Sequence, residues 1–103
     1  MSVLHYGGQN FDELVKEGNV LVDFYASWCG PCKMLGPVLE ALAEERKDLK
    51  IIKVNVDENE ELAGRFSVMS IPTIYLYKDG KIVAERKGFS TKEMLNDWIN
   101  KSL

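Results

Sequence analysis

Both cysteines of the chain lie in one heptapeptide, SWCGPCK, at Cys29 and Cys32, with Gly30 and Pro31 between them. A disulfide across so short a loop is a poor staple, because stabilisation through the unfolded state grows with the size of the loop closed. Two thiols at this spacing suit exchange chemistry instead. One thiolate attacks a disulfide in another protein and forms a mixed disulfide, and the second attacks the first sulfur and releases the reduced substrate. Gly30 sets no side chain in the path of a partner, and Pro31 limits the freedom of the loop. The pair could also be half of a zinc site, but zinc takes four ligands, and the chain offers only His5 besides, far off in the sequence.

The second thiol, expected to be the more buried, needs a base. Asp23 is the candidate. Alternation along VLVDFYA puts it on one strand face with Leu21 and Tyr25. A carboxylate in so apolar a run is desolvated, which raises its pKa toward neutrality. It could then exchange a proton with Cys32 through a water. Lys53, in the next strand segment, is the candidate charge partner. The plainer readings are an Asp23 facing solvent at a strand end, and a solvated Lys53 on the face of Ile51 and Asn55.

The elements that position these residues follow from periodicity. SVLHY is a short first strand. Asn10 and Glu13 form a capping pair for a helix from Phe11 to about Glu17, stopped by Gly18. Val20–Ala26, apolar almost throughout, is a strand buried on both faces. Leu35, Val38, Leu39 and Leu42 recur at helical spacing in a long helix from Pro31 to Arg46, which Pro37 should kink. KIIKVNV is a further strand, and Asp57 with Glu60 caps a helix carrying Leu62, Ala63 and Phe66. TIYLYK and KIVAERK flank Asp79-Gly80, a two-residue hairpin signal. Ser90 and Glu93 cap a last helix with Met94, Leu95, Trp98 and Ile99 on its apolar face.

The resulting order, β-α-β-α-β-α-β-β-α, is that of an α/β protein with a mixed sheet between helices. Strands joined through helices should run parallel and the terminal hairpin antiparallel. The order of strands in the sheet does not follow. Met34 and Met94 read as core filling, and Trp98 as a better core residue than Trp28.

On this map Cys29 lies just before the longest helix and Cys32 in its first turn, at the strand edge where open α/β sheets carry their sites. Pro31 suits an early helical position. The helix terminus favours a thiolate at Cys29. Such an end is worth at most ~2 kcal/mol when partly buried, or about 1.5 pKa units from a thiol's ~8.5. That brings the group toward neutrality, where an attacking thiol works best.

Bulk properties narrow the function classes. At 103 residues the chain suits one domain, 1–103, with one core. A net charge of −3 with interspersed signs gives no nucleic-acid stripe and no polybasic membrane patch. No apolar run approaches the ~20 residues of a membrane span. The opening MSVLHYGGQN does not read as a secretory signal, and two cysteines are too few for a disulfide-rich secreted scaffold. The expectation is a cytoplasmic protein.

VDFYASWCGPCK, then KVNVDEN, SIPT, KDG and finally Gly88 follow one another without a large insertion, and together they resemble the thioredoxin family over essentially the whole chain. The resemblance implies a thioredoxin fold, a single mixed five-stranded sheet flanked by four helices. It implies a protein-disulfide reductase with Cys29 as nucleophile, Cys32 as resolving cysteine, Asp23 as buried carboxylate and Lys53 as its neighbour. It implies a cis bond before Pro72, a backbone at Ile71 offered to the substrate chain, and a docking patch of Trp28, Gly30, Pro31, Ile71, Pro72 and Gly88. Without the resemblance Pro72 reads as a plain turn proline.

No cofactor is implied beyond the cysteine pair. Reducing power would come from thioredoxin reductase, and through it from NADPH. The other partners would be disulfide-containing proteins, not nucleic acid or membrane, and the chain would act as a monomer. The alternatives are an oxidase or isomerase, disfavoured by Gly-Pro between the cysteines, and a docking subunit that needs no thiols. Tyr25, Gly36, Ser70, Lys87 and Phe89 depart from the commonest family pattern, several of them on or near the docking rim.

Overall fold

The computed structural model, which describes residues 3–103, runs β1 (Val3–His5), α1 (Phe11–Leu14), β2 (Asn19–Tyr25), α2 (Gly30–Glu45), β3 (Leu49–Asn55), α3 (Glu60–Arg65), β4 (Thr73–Lys78), β5 (Lys81–Lys87) and α4 (Lys92–Ser102). The five strands form one sheet in the order β1-β3-β2-β4-β5. β2 is central, and its residues Val20 to Phe24 are all buried, as a strand covered on both faces requires.

Alternation along β2 divides the core. Leu21 packs with Leu35, Leu39 and Leu42 of α2 and with Leu95 and Ile99 of α4. Val20, Val22 and Phe24 face the other way, onto Phe11, Val15, Tyr75, Tyr77 and the half-buried Phe66. Aromatic edges make much of that second layer, with Phe11 and Phe66 5.5 Å apart and Phe24 and Tyr75 5.9 Å apart. Asp23 and Tyr25 therefore lie on the α2 side of the sheet, in line with Leu21.

One strand direction differs from expectation. β1 and β2 run parallel to β3, but β4 runs antiparallel to β2 although a helix joins it to β3. Helix length explains this. The six residues of α3 span about 9 Å at ~1.5 Å per residue. The seven residues of β3 span about 23 Å at ~3.3 Å per residue. So short a helix does not return the chain to the far end of the sheet, and β4 begins where β2 ends, with Thr73 opposite Phe24.

The hairpin forms as its sequence predicts. Asp79 and Gly80 both take positive φ, 48° and 86°, which matches the right-handed twist of the flanking strands. The turn is also clasped to the start of β2: the Asp79 amide donates to the Gly18 carbonyl at 2.9 Å, and the Gly18 amide to Asp79 Oδ1 at 2.8 Å. That clasp ends α1 at Leu14 rather than near Glu17, because the chain must turn early to bring Gly18 to Asp79.

Asn10 caps α1 as expected, accepting from the Glu13 amide. The other two predicted caps are corrected. Thr91, not Ser90, caps α4, accepting from the Met94 amide at 3.1 Å. Ser90 is buried, and its hydroxyl accepts from Arg86 Nε at 2.7 Å. The N-cap of α3 is Asn59, with no side-chain bond to the helix. Met34 and Met94 are exposed rather than core-filling: Met34 lies off the Leu35–Leu39–Leu42 stripe, and Leu95 and Ile99 fill the space under α4. Trp98 packs half-buried against that layer. Pro37 sits inside α2, a single helix from Gly30 to Glu45.

Candidate active site

β2 delivers the chain to the sheet edge at Tyr25, and a tight turn leads into α2. The Cys29 amide donates to the Ala26 carbonyl at 3.2 Å, and the Lys33 amide to the Cys29 carbonyl at 3.1 Å. Cys29 is the N-cap, with extended backbone (φ −87°, ψ 116°), and Pro31 is in the first turn. The cysteine sulfur takes the part usually played by a serine or aspartate oxygen: Cys29 Sγ accepts the Cys32 amide at 3.2 Å. Negative charge forming on Cys29 therefore meets a backbone donor at the positive end of a 16-residue helix.

Cys29 and Cys32 are disulfide-bonded, with Cα atoms 5.2 Å apart. They are buried to almost the same degree, 5% and 4% exposed, so the expected contrast in burial is absent from the oxidised pair. Tyr25, Val56 and Ile71 pack against the cluster they form with Ala26. Cys29 Sγ also lies 3.8 Å from the Ile71 carbonyl oxygen. Among the described residues no group of three or more His, Cys, Asp or Glu side chains is placed to hold a metal ion.

Asp23 is completely buried, and neither carboxylate oxygen has a hydrogen-bond partner. Burial pushes its pKa up to about 7, against a downward pull from the Lys53 ammonium. Asp23 and Lys53 are register partners on adjacent parallel strands. Two strand positions thus bring together a carboxylate and an ammonium that are 30 residues apart in sequence. The ammonium stands 4.5 Å from the centre of the Tyr25 ring.

The rim around the cysteines is built from three segments. Trp28 is 68% exposed, and its indole Nε1 donates to Asp57 Oδ2 at 2.8 Å. Asp57, expected to cap α3, instead braces this tryptophan. Asn55 holds the turn that carries it, its Oδ1 accepting from the Asp57 amide at 2.9 Å. The second segment is Ile71-Pro72, joined by a cis peptide bond. The Thr73 hydroxyl donates to the Ser70 carbonyl at 2.5 Å, and the Gly88 amide to the Pro72 carbonyl at 2.9 Å.

Gly88, at the end of β5, has φ +83° and supplies the third segment. Gly30 and Pro31 are exposed, Ile71 and Gly88 half-buried, and Pro72 buried. Apart from its chain neighbours and its own helix, a Cβ at Gly30 would have no side chain or strand within 4 Å, so that flank is open. Sequence reasoning missed Asp57 as a rim residue. It also missed the exposure of Met34 and of Met69, the latter 92% exposed two positions before Ile71. The asparagine two residues before Asp57 is a local turn signal that could have separated it from the helix cap.

Known proteins resemble this chain in sequence and in fold. The sequence model of a family described as Thioredoxin matches residues 2–101. A thioredoxin of Bacillus subtilis is 51% identical over 104 aligned residues, covering 100% of both chains. A thioredoxin of Listeria monocytogenes is 53% identical over 92 residues, 88% of this chain and 89% of that one. Among solved structures, a mutant thioredoxin from Halobacterium salinarum matches with a TM-score of 0.88 at 42% identity, covering 98% of this chain and 90% of that one.

Proposed function

The chain belongs to the thioredoxin family and is a protein-disulfide reductase, and from that premise we propose how its residues divide the work. Cys29 is the nucleophile. As thiolate it attacks one sulfur of a substrate disulfide; a Cys29–substrate bond forms, the substrate bond breaks, and the other substrate sulfur leaves as a thiolate that takes up a proton. Cys32 then passes its proton to Asp23 through a water and attacks Cys29 Sγ. The Cys29–Cys32 bond forms, and the second substrate thiolate leaves. Two electrons have moved from the cysteine pair to the substrate.

The observation that carries this reading is the cap: Cys29 Sγ already accepts a backbone N–H at the start of α2, while Cys32 sits on that same amide's residue, within bonding reach. Asp23 suits the proton step because its buried carboxyl titrates near the working pH. Trp28, Gly30, Pro31, Ile71, Pro72 and Gly88 form the docking rim. Ile71 lies just outside the β4 ladder, which begins at Thr73, a position from which its backbone can pair with an extended substrate segment.

The family implies a thioredoxin reductase and disulfide-bearing proteins as partners. In this reading the reductase restores the dithiol with electrons drawn from NADPH, and no cofactor binds the chain itself. The protein works as a one-domain monomer in the cytoplasm, without nucleic acid or membrane. No helix among the described residues is long and apolar enough to cross a membrane.

The test is reduction of insulin disulfides with dithiothreitol as electron source. The wild type should accelerate precipitation strongly and Cys29→Ser should not. A folded wild type without acceleration would move the docking-subunit reading to the front.

A further inference from the structure

The Lys53 ammonium lies against an aromatic ring and close to α2. On one side is the Tyr25 ring, with 4.5 Å from Nζ to its centre. On the other is α2, where a Cβ built on Gly36 would lie 3.9 Å from Nζ. Gly36 is four residues after Cys32 and so shares its helix face. Lys53 is also the register partner of Asp23, and Tyr25 is the next residue of β2 on Asp23's own face.

We propose that Tyr25 is a positioning residue: its ring holds the Lys53 ammonium beside Asp23 and against the Gly36 turn of α2, and so sets the proton affinity of the carboxyl that serves Cys32. The proposal rests on the reductase reading and deepens it. A lysine at a half-buried strand position has a flexible stem and a strongly hydrated head. Left to itself the head reaches for water and its charge is spent away from Asp23. An aromatic face attracts a cation and keeps it over the sheet. Gly36 presents no side chain to crowd the ammonium from the helix side.

The groups around the carboxyl keep the interpretation simple. Lys53 from β3 is the charged side chain acting on Asp23. Tyr25 is its titratable neighbour on β2, and the β4 residue opposite is Ile74. The cysteines on α2 are in a disulfide and do not titrate in the oxidised protein. Burial raises the Tyr25 phenol pKa most, Glu58 and Asp23 add to the rise, and Asn55 opposes it, so Tyr25 is neutral throughout the range in which Asp23 titrates.

The experiment is a carbon-13 titration of the Asp23 carboxyl in the oxidised protein, in wild type, Tyr25→Leu, Tyr25→Phe, Lys53→Met and Tyr25→Leu with Lys53→Met. Lys53→Met should raise the midpoint by about one pH unit, the size expected for loss of a nearby opposite charge. Tyr25→Leu should raise it by at least roughly half as much, and Tyr25→Phe, which keeps the ring, should not move it. Adding Tyr25→Leu to Lys53→Met should change nothing further. The acid limb of the insulin-reduction pH profile should shift the same way in Tyr25→Leu.

An unmoved midpoint in Tyr25→Leu, or an equal shift with Lys53 already removed, would overturn the proposal; the second outcome would mean that the ring acts only by excluding water. A measurement on the wild type covers the case of a leucine variant that does not fold. The Lys53 ε-methylene protons should resonate upfield from the ring current of Tyr25, and ordinary lysine shifts would equally overturn the proposal. Because the titration needs no turnover, its failure is distinct from failure of the reductase reading, which would appear as a wild type that does not reduce insulin.

Discussion

Trp28 and Asp57, 29 residues apart, are joined by a 2.8 Å hydrogen bond from indole to carboxylate. The bond ties the residue before Cys29 to the turn after β3, and so fixes a large apolar surface at the edge of the disulfide. Asp57→Ala should free the indole. The bond is exposed, and its loss is worth about 0.5–1 kcal/mol, so insulin reduction should slow by roughly two- to fivefold. Tryptophan fluorescence should shift, and Tm should fall by roughly 2–8 °C. An unchanged rate together with a changed spectrum would show that docking does not use the fixed indole.

Asp23 makes stability depend on pH with a definite sign. Its carboxyl has a pKa of about 7 in the folded protein against 3.8 for the free group. Between those values the native state keeps a proton that the unfolded state has lost. The contribution is fully present below the unfolded value and is lost as pH rises through the folded one, at about 1.4 kcal/mol per unit. Asp23→Asn should be more stable than wild type at pH 8 by roughly 2–4 kcal/mol, and the difference should shrink steadily toward pH 4. Urea titrations at pH 5 and pH 8 measure this, and a difference independent of pH would refute the assignment.

The same variant bears on turnover. An amide cannot take the Cys32 proton, so Asp23→Asn should reduce insulin about tenfold more slowly at neutral pH. The inflection near pH 7 should disappear from its rate profile. Wild-type kinetics across pH 6–9 in the variant would remove Asp23 from the proton step.

Cys32→Ser separates attack from resolution. With Cys29 intact and no resolving thiol, the first exchange should proceed and the second should not. A mixed disulfide with a substrate protein should then accumulate toward one equivalent and be released by dithiothreitol, as gel electrophoresis without reductant would show. Absence of both a mixed disulfide and turnover in Cys32→Ser would reverse the roles of the two cysteines.

Gly80 tests the hairpin clasp without touching the site. At φ +86° a side chain is strained, and a Cβ there would come within 3.3 Å of the Lys16 carbonyl oxygen. Gly80→Ala should cost about 1–2 kcal/mol and lower Tm by roughly 4–8 °C for each kcal/mol. Insulin reduction at 25 °C should be unaffected, because the turn lies at the end of β4 opposite Thr73.

What could be read from the chain was what neighbours in sequence decide. The cysteine pair, its place at the start of a helix, the limits of Thr73–Lys78 and Lys81–Lys87 and the turn between them all follow from spacings of a few residues, where local geometry settles the outcome. The face of Asp23 followed from strand alternation. Tertiary structure decided the rest. β4 is antiparallel to β2 because α3 is too short to carry the chain back, and that direction puts Ile71 beside Cys29. Asp57 left its expected cap for Trp28, and Ser90 left its own for Arg86, because a side chain with two possible partners takes the one that packing brings within reach. Lys53 is indistinguishable by alternation from a solvated lysine. Only the register of β2 against β3, set by how both faces of the sheet bury their apolar residues, places its charge between Asp23, Tyr25 and the helix that carries Cys32.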